Sequence, residues 1–223
     1  MIVTRGQHEK APFVPPDPVR MNDFLRAWEE YVDFDDADFL LQTAVVHAQF
    51  ELIHTFKDGN GRIGRILIPL FLFYKKKLSR PMFYLSEYLE ANRDEYYQRL
   101  RNISEQQDWN NWIAFFLQAI TIQAEENSNR VRKIMALYEE MKIKIHEITH
   151  SQYSVHLLDA IFSEPIFRVN DTSKQLNHSY NIHEKTAASL LRKLKDAKLL
   201  TELQTGGGRK NMRVRSSFLT NVK

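Results

Sequence analysis

Residues 54–65 of the chain read His54-Thr55-Phe56-Lys57-Asp58-Gly59-Asn60-Gly61-Arg62-Ile63-Gly64-Arg65. The stretch lies between two runs of apolar residues that recur at helical spacing. Asp38 is an N-cap candidate for a helix that runs to His54, and a second helix with a kink at Pro69 is expected over residues 61–76. The sequence therefore predicts a polar loop between two buried helices.

Two side chains of this loop suit chemistry at a phosphate group. An imidazole at a helix end, as at His54, can face a cleft, and because it titrates near neutral pH it can act as a base. Asp58 supplies a hard carboxylate oxygen of the kind that binds Mg²⁺ together with phosphate oxygens. The pair predicts a base beside a magnesium site.

The rest of the loop suits an anion. Gly59, Asn60 and Gly61 allow the main-chain amides to turn inward, and the next helix adds its N-terminal amides and its dipole. Arg62 and Arg65 are three residues apart, so both guanidinium groups lie on one helix face and can grip further phosphates. These residues predict a polyphosphate site.

Composition excludes several classes of protein. The chain has 223 residues, is 43% hydrophobic and contains no cysteine, so a packed core is expected without disulfides, thiolate catalysis or cysteine zinc sites. No apolar run is long enough to span a membrane, and no apolar signal region follows the N-terminus, so a cytoplasmic location is expected. Residues 151–223 carry 12 Lys and Arg against 6 Asp and Glu, which indicates nucleic acid or an acidic partner, or only a solvated basic face.

The chain is predicted to be mainly α-helical, with a change of character near residue 150. Helices are expected over residues 21–32, 86–104, 108–127 and 129–149. Beyond them, helices near residues 155–162, 171–180 and 183–197 precede a β-hairpin that turns at Gly206-Gly207-Gly208. Three helices and a basic hairpin predict a small winged helix-turn-helix domain, which binds either DNA or protein. Its candidate DNA-facing residues are Thr186, Ser189, Arg192 and Lys193 on the third helix and Arg209, Lys210, Arg213 and Arg215 on the hairpin.

Residues 54–65 resemble the signature of the Fic (filamentation induced by cAMP) family, His-x-Phe-x-(Asp/Glu)-Gly-Asn-Gly-Arg-x-x-Arg. Every defining position matches, and Thr55 stands where proline is commonest. The flanks at residues 13–16, 84–88 and 92–97 are also similar to this family, and the resemblance covers about residues 11–125. It implies a flap remnant and Pro-rich connector at 1–18, a Fic helical catalytic core at 19–128, a linker helix at 129–150 and a winged-helix domain at 151–223.

The resemblance implies a protein adenylyltransferase, which moves AMP from ATP to a Ser, Thr or Tyr hydroxyl of a target protein or of itself. His54 would be the base, and Asp58 would hold Mg²⁺. The α-phosphate would meet the segment 59–61, the β-phosphate Arg62 and the γ-phosphate Arg65. Removal of AMP and other nucleotidyl transfers stay open, as do a homodimer and a winged-helix DNA-binding regulator.

The adenine pocket is less well defined. Tyr96 and Tyr97 are the candidates to line it, and the alternative is that both are core aromatics on a helix.

The resemblance also raises the question of an inhibitory helix, (Ser/Thr)-x-x-x-Glu-(Gly/Asn). Residues 121–126 and 86–91 come close to this string without matching it. We therefore expect an N-terminally shortened form or a fragment, in which Arg65 is unrestrained.

Two other motifs have competing interpretations. Residues 59–64 spell G-x-G-x-x-G, but a dinucleotide site needs a preceding strand, and here a helix is expected. His146-Glu147-Ile148-Thr149-His150 spells a zinc-binding H-E-x-x-H, with His156 as a third candidate ligand. We interpret the second motif as a helix with surface histidines.

Overall fold

The structure is a computed structural model that describes residues 16–203 and 213–217. The chain divides into two compact units, Met1–Glu126 and Asn127–Lys223, and each is described by itself. The predicted turn at residues 206–208 and the N-terminal flap remnant up to residue 15 lie outside the described residues. No helix in the described part is both long and apolar enough to cross a membrane.

Helices form the N-terminal unit. After a short 3-10 helix at Pro18–Arg20, they are α1 Met21–Asp33, α2 Phe39–Ile53, α3 Asn60–Tyr74, α4 Ser86–Ala91, α5 Arg93–Gln106 and the first part of α6 Trp109–Thr149. The single helix expected over residues 86–104 is wrong, because Asn92 separates α4 from α5. Its side-chain amide donates to the Tyr88 carbonyl oxygen at 2.9 Å and so satisfies the end of α4.

The core of this unit forms around α2. Ala44 and Ala48 are fully buried, and the small side chains let Trp112 of α6 approach closely enough to donate its indole N–H to the Ala44 carbonyl oxygen at 3.0 Å. The apolar spacing of α2 predicts that Leu41, Ala44 and Ala48 are buried, and this is only partly right, since Leu41 is exposed whereas polar residues of the same helix are buried. Those polar residues are Gln42, Thr43, His47 and Glu51.

Three hydrogen bonds from two side chains hold α1 against α2. Gln42 donates its side-chain amide to the carbonyl oxygens of Tyr31 at 2.8 Å and of Phe34 at 2.6 Å. The Trp28 indole N–H donates to the Val46 carbonyl oxygen at 2.9 Å. The end of α1 is thus bound to the beginning of α2, which orients the helix that leads into the loop.

Helix α6 runs without interruption over 41 residues. The expected break between residues 127 and 129 is absent, because the segment contains neither proline nor glycine and nothing in it stops helix propagation. Met141 and Ile145 near the C-terminal end of α6 are buried in the core of the C-terminal unit. That end of α6 is therefore part of a packed core.

The C-terminal unit contains α7 Ser154–Ser163, β1 Ile166–Phe167, α8 Val169–Tyr180, α9 Glu184–Asp196, β2 Leu200–Leu203 and β3 Arg213–Ser216. The three strands pair antiparallel in the order β1-β3-β2, with Leu200 opposite Ser216 and Ile166 opposite Arg215. The helices and the two hairpin strands are confirmed. The two-residue strand β1 is too short to show period-two alternation and was not predicted.

The Asp38 cap can be tested directly. Its carboxylate accepts from the main-chain N–H groups of Leu40 at 2.8 Å and Leu41 at 3.2 Å. Asp38→Ala should lower the free energy of unfolding of the N-terminal unit by about 1 kcal/mol, whereas Asp38→Asn, which still accepts, should cost much less. All three tryptophans, Trp28, Trp109 and Trp112, belong to this unit, so their fluorescence during urea unfolding is the measurement. Equal losses in both variants would contradict the cap.

Candidate active site

His54 ends α2 in the left-handed backbone region, at φ 52° and ψ 53°, and its side chain is exposed. Its Nδ1 lies 3.3 Å from the Glu51 carbonyl oxygen. Because a carbonyl only accepts, this bond requires the proton on Nδ1. The loop thus presents an exposed imidazole that is oriented by the end of α2.

Asn60 holds the loop closed. Its side chain is 2% exposed, accepts from the Phe56 main-chain N–H at 2.9 Å and donates to the Phe56 carbonyl oxygen at 2.5 Å. Both polar atoms of the side chain are therefore used inside the loop. Any contact of Asn60 with an anion has to come from its main-chain N–H.

The first turn of α3 carries the free main-chain donors of the site. Gly59 precedes the helix at φ 91°, a left-handed conformation that favours glycine. Its carbonyl oxygen accepts the first helical bond, from the Ile63 N–H at 3.0 Å. The N–H groups of Asn60, Gly61 and Arg62 come before that bond and have no helical acceptor, so they form the anion-binding end of the helix.

Asp58 and Arg62 face solvent together. Their side chains are 90% and 72% exposed and form an ion pair of 3.2 Å. An exposed pair of this kind is weak and separates easily. No group of three or more metal-binding side chains occurs among the described residues. A Mg²⁺ ion held by one carboxylate and by substrate phosphate oxygens needs no such group, and Asp58 fits that arrangement.

Arg65 lies on the same helix face, half-buried beside the first turn of α3. Its Nη1 is 3.8 Å from the position that a Cβ atom on Gly61 would occupy. The Glu51 carboxylate oxygens lie 3.9 and 4.0 Å from the same position, on the buried side of the helix. The Arg65 guanidinium and the Glu51 carboxylate thus both approach the first turn of α3.

Sequence reasoning missed a buried network beneath the loop. His47 of α2 donates from Nδ1 to the Gly64 carbonyl oxygen at 3.1 Å and accepts at Nε2 from the Tyr96 hydroxyl at 3.0 Å. Burial, opposed by the hydrogen bond to Gly64 and reinforced by the Arg65 charge, lowers the pKa of His47 to about 4. The ring is neutral, and it links α2, α3 and α5.

Glu51 is the second buried titratable group. Its side chain is 7% exposed, and Oε1 has no hydrogen-bond partner among the described residues. Burial raises the pKa of Glu51 to about 7, against the opposing effects of Arg65 and of the Tyr96 hydroxyl. A Cβ atom on Gly64 would collide with Oε1, so any side chain at that position would displace the Glu51 carboxylate.

The predicted aromatic residues fall in different places. Tyr96 is 2% exposed and packs in the core with its hydroxyl bonded to His47, which agrees with the core interpretation rather than with an open adenine pocket. Tyr97 is 43% exposed, with the Arg93 guanidinium 5.6 Å from its ring centre. An apolar aromatic residue in a polar loop is expected to anchor the loop in the core, but Phe56 is 47% exposed.

In the C-terminal unit, the predicted DNA-facing residues of α9 share one side of the helix. Thr186, Ser189, Arg192 and Lys193 are exposed, whereas the opposite face is buried in the core. Arg215 of β3 is exposed. Arg209, Lys210 and the side chain of Arg213 lie outside the described residues.

The histidines of the H-E-x-x-H motif have other neighbours. His146 Nδ1 lies 3.3 Å from the Ser154 hydroxyl, and the His156 ring stacks on Tyr180 with centroids 4.1 Å apart. Within the described residues they join no metal-binding group.

A base, an exposed carboxylate and a helix N-terminus on one loop are the groups that chemistry at a phosphate requires. Residues 3–72 match the Fic/DOC family. A probable protein adenylyltransferase of Aquifex aeolicus (strain VF5) is 32% identical over 85 residues, 38% of this chain and 27% of that protein.

The fold is similar to a crystal structure of a Fic family protein from Desulfovibrio desulfuricans G20. The TM-score is 0.51 at 21% identity, over 95% of this chain and 59% of that one. The chain thus spans less than two thirds of the length of either relative. The mainly helical architecture is confirmed as that of a Fic-type fold.

The two buried groups predict opposite effects of pH on stability. Glu51 binds its proton more tightly in the folded state, so its contribution is present below pH 4.5 and is lost as the pH rises to about 7. His47 binds its proton less tightly when folded, so its contribution is present above pH 6.5 and is lost as the pH falls to about 4. In the wild type the two effects largely offset each other between these limits.

Glu51→Gln should remove the pH-dependent contribution of Glu51 to stability and leave that of His47. The N-terminal unit of the variant should lose about 2 kcal/mol of unfolding free energy between pH 6.5 and 4.5, while the wild type changes much less. Urea unfolding followed by tryptophan fluorescence at a series of pH values measures this difference. Parallel pH profiles for the two proteins would show that Glu51 does not titrate as described.

Proposed function

We propose that this chain is a protein adenylyltransferase that transfers AMP from ATP to a Ser, Thr or Tyr hydroxyl of a target protein. The observation that supports this most is the loop itself, which combines the exposed imidazole of His54 with the free amides of α3. The family match of residues 3–72 and the name of the Aquifex relative support the same reaction.

In this proposal His54 Nε2 takes the proton of the target hydroxyl. The hydroxyl oxygen then bonds to the α-phosphorus in line, the bond to the β-phosphate bridging oxygen breaks, and pyrophosphate leaves. The N–H groups of Asn60, Gly61 and Arg62 stabilise the charge that develops on the α-phosphate oxygens. Positioning and electrostatics supply most of the acceleration in transfers of this kind.

The charged side chains hold the rest of the nucleotide. Arg62 exchanges its weak pair with Asp58 for the β-phosphate, and Arg65 reaches the γ-phosphate. Asp58, once released, offers its carboxylate to Mg²⁺, which when bound neutralises phosphate charge. Tyr97, exposed at the surface of α5, is the remaining candidate for the adenine ring.

Related chemistry on the same residues stays a prediction, namely removal of AMP or transfer of another nucleotide. A cytoplasmic location and a homodimer stay predictions as well.

The test is mass spectrometry of the purified chain and of candidate targets after incubation with ATP and Mg²⁺. We expect an AMP adduct that disappears in His54→Ala, since the transfer then lacks its base. His150→Ala is the matched control, because His150 is also an exposed histidine in the left-handed region that follows a helix. It should retain the adduct. Persistent transfer by His54→Ala would contradict the role of His54. An adduct formed only with another nucleotide would show that this nucleotide, and not ATP, is the substrate.

The exposed polar face of α9 favours one further function for the C-terminal unit, DNA binding by a winged helix. We expect binding of duplex DNA that weakens as salt rises, with a shallower salt dependence in Arg192→Ala because one phosphate contact is lost. Titration of labelled duplex at several salt concentrations measures this, with His54→Ala as a control that should bind normally. No binding at low salt would leave protein contact as the role of this unit.

A further inference from the structure

A buried acid lies directly behind the predicted phosphate site. The Glu51 carboxylate lies against the beginning of α3. A Cβ atom on Gly64 would collide with it, and a Cβ atom on Gly61 would lie 3.9 Å from Oε2. This is the turn whose free N–H groups are expected to receive phosphate oxygens. An anion bound on the outer side and an ionised Glu51 on the inner side would therefore share one helix N-terminus.

The groups that face Glu51 leave its charge poorly compensated. On α2 itself the facing group is His47, which is neutral. Arg65 and the helix N-terminus of α3 face Glu51, and so does the Tyr96 hydroxyl of α5. Oε1 is buried without a hydrogen-bond partner among the described residues. Arg65 is thus the side-chain cation that stabilises the ionised form, and it is the residue assigned to the γ-phosphate.

We propose that Glu51 is a proton-linked positioning residue of the nucleotide site, which takes up a proton when a polyphosphate binds to the N-terminus of α3 and to Arg65. The inference rests on the proposed function only in assuming that this helix end receives phosphates. One helix dipole and one guanidinium cannot fully stabilise both the bound polyphosphate and the Glu51 carboxylate. The buried carboxylate can be neutralised by a proton.

The pKa of Glu51 makes this linkage effective near neutral pH. The pKa is about 7 without ligand, so the residue is partly ionised under ordinary conditions. A bound polyphosphate raises the pKa of Glu51 further, because it draws Arg65 away and adds like charge. The affinity of the protein for polyphosphate should then fall as the pH rises above about 7. The fall should reach up to about tenfold per pH unit, because each binding event takes up one proton.

The experiment is isothermal titration calorimetry with ATP, and separately with inorganic tripolyphosphate, in pairs of buffers of different ionisation enthalpy. The wild type should take up more protons per bound anion than Glu51→Gln. Glu95→Gln is the matched control, since Glu95 is an exposed glutamate of α5 that pairs with Arg99. It should behave as the wild type does. Protonation of the anion itself is common to all titrations and cancels in the differences.

A second readout separates linkage from structural damage. At pH 8 Glu51→Gln should bind tripolyphosphate about tenfold more tightly than the wild type, since no carboxylate competes with the anion. A merely disrupted site would bind more weakly. If the variant does not fold, the wild-type affinity over pH 6 to 9 gives the same answer, because a level profile for tripolyphosphate would overturn the linkage.

The outcomes distinguish the two proposals. Equal proton uptake by wild type and Glu51→Gln overturns the linkage and leaves adenylyl transfer standing. Proton-linked binding of both anions without any AMP adduct overturns adenylyl transfer and leaves the linkage standing. Absence of binding for both anions overturns both.

Discussion

The imidazole of His47 is the contact on which the site depends most. One neutral ring joins three helices, since it donates to the Gly64 carbonyl oxygen of α3 and accepts the Tyr96 hydroxyl of α5 while it belongs to α2. In a dry core such bonds are strong, and losing either partner leaves a buried polar atom without compensation. The ring therefore fixes where α3 begins relative to the end of α2, and this spacing brings His54 and the free amides of α3 onto one loop.

The second constraint is a direct contact between Glu51 and Gly64. The family signature leaves the position of Gly64 open, yet in this chain the Glu51 carboxylate occupies the space of its side chain. An open position in a motif can thus be tightly determined by a residue outside the motif. The cost of burying Glu51 is partly offset by Arg65, so the residue that would bind substrate also stabilises the core beneath it.

Much of the site could be predicted from the sequence, because its residues are contiguous and their spacing carries the chemistry. The loop between two helices, the Asp38 cap and the exposed face of α9 follow from local patterns. Glu51 and His47 were missed for a physical reason. Apolar periodicity assigns the interior of α2 to alanine, valine and leucine, and no local pattern shows that a polar side chain of the same helix will find its partner 49 positions away, as His47 does in Tyr96. The uninterrupted α6 was missed for a different reason, since the polar residues 125–130 interrupt the apolar periodicity although none of them stops a helix.

The clamp formed by Asn60 has a chemical consequence. Its side chain accepts from Phe56 through Oδ1 and donates to Phe56 through Nδ2, so both polar atoms of the amide are used. Asparagine followed by glycine is the sequence in which an unrestrained chain loses ammonia most readily, and the product, an aspartate, would set a negative oxygen against the Phe56 carbonyl. The aspartate would loosen the loop and add a negative charge at the predicted anion site. Because Phe56 holds both polar atoms of the Asn60 side chain, we expect the folded loop to slow this loss of ammonia.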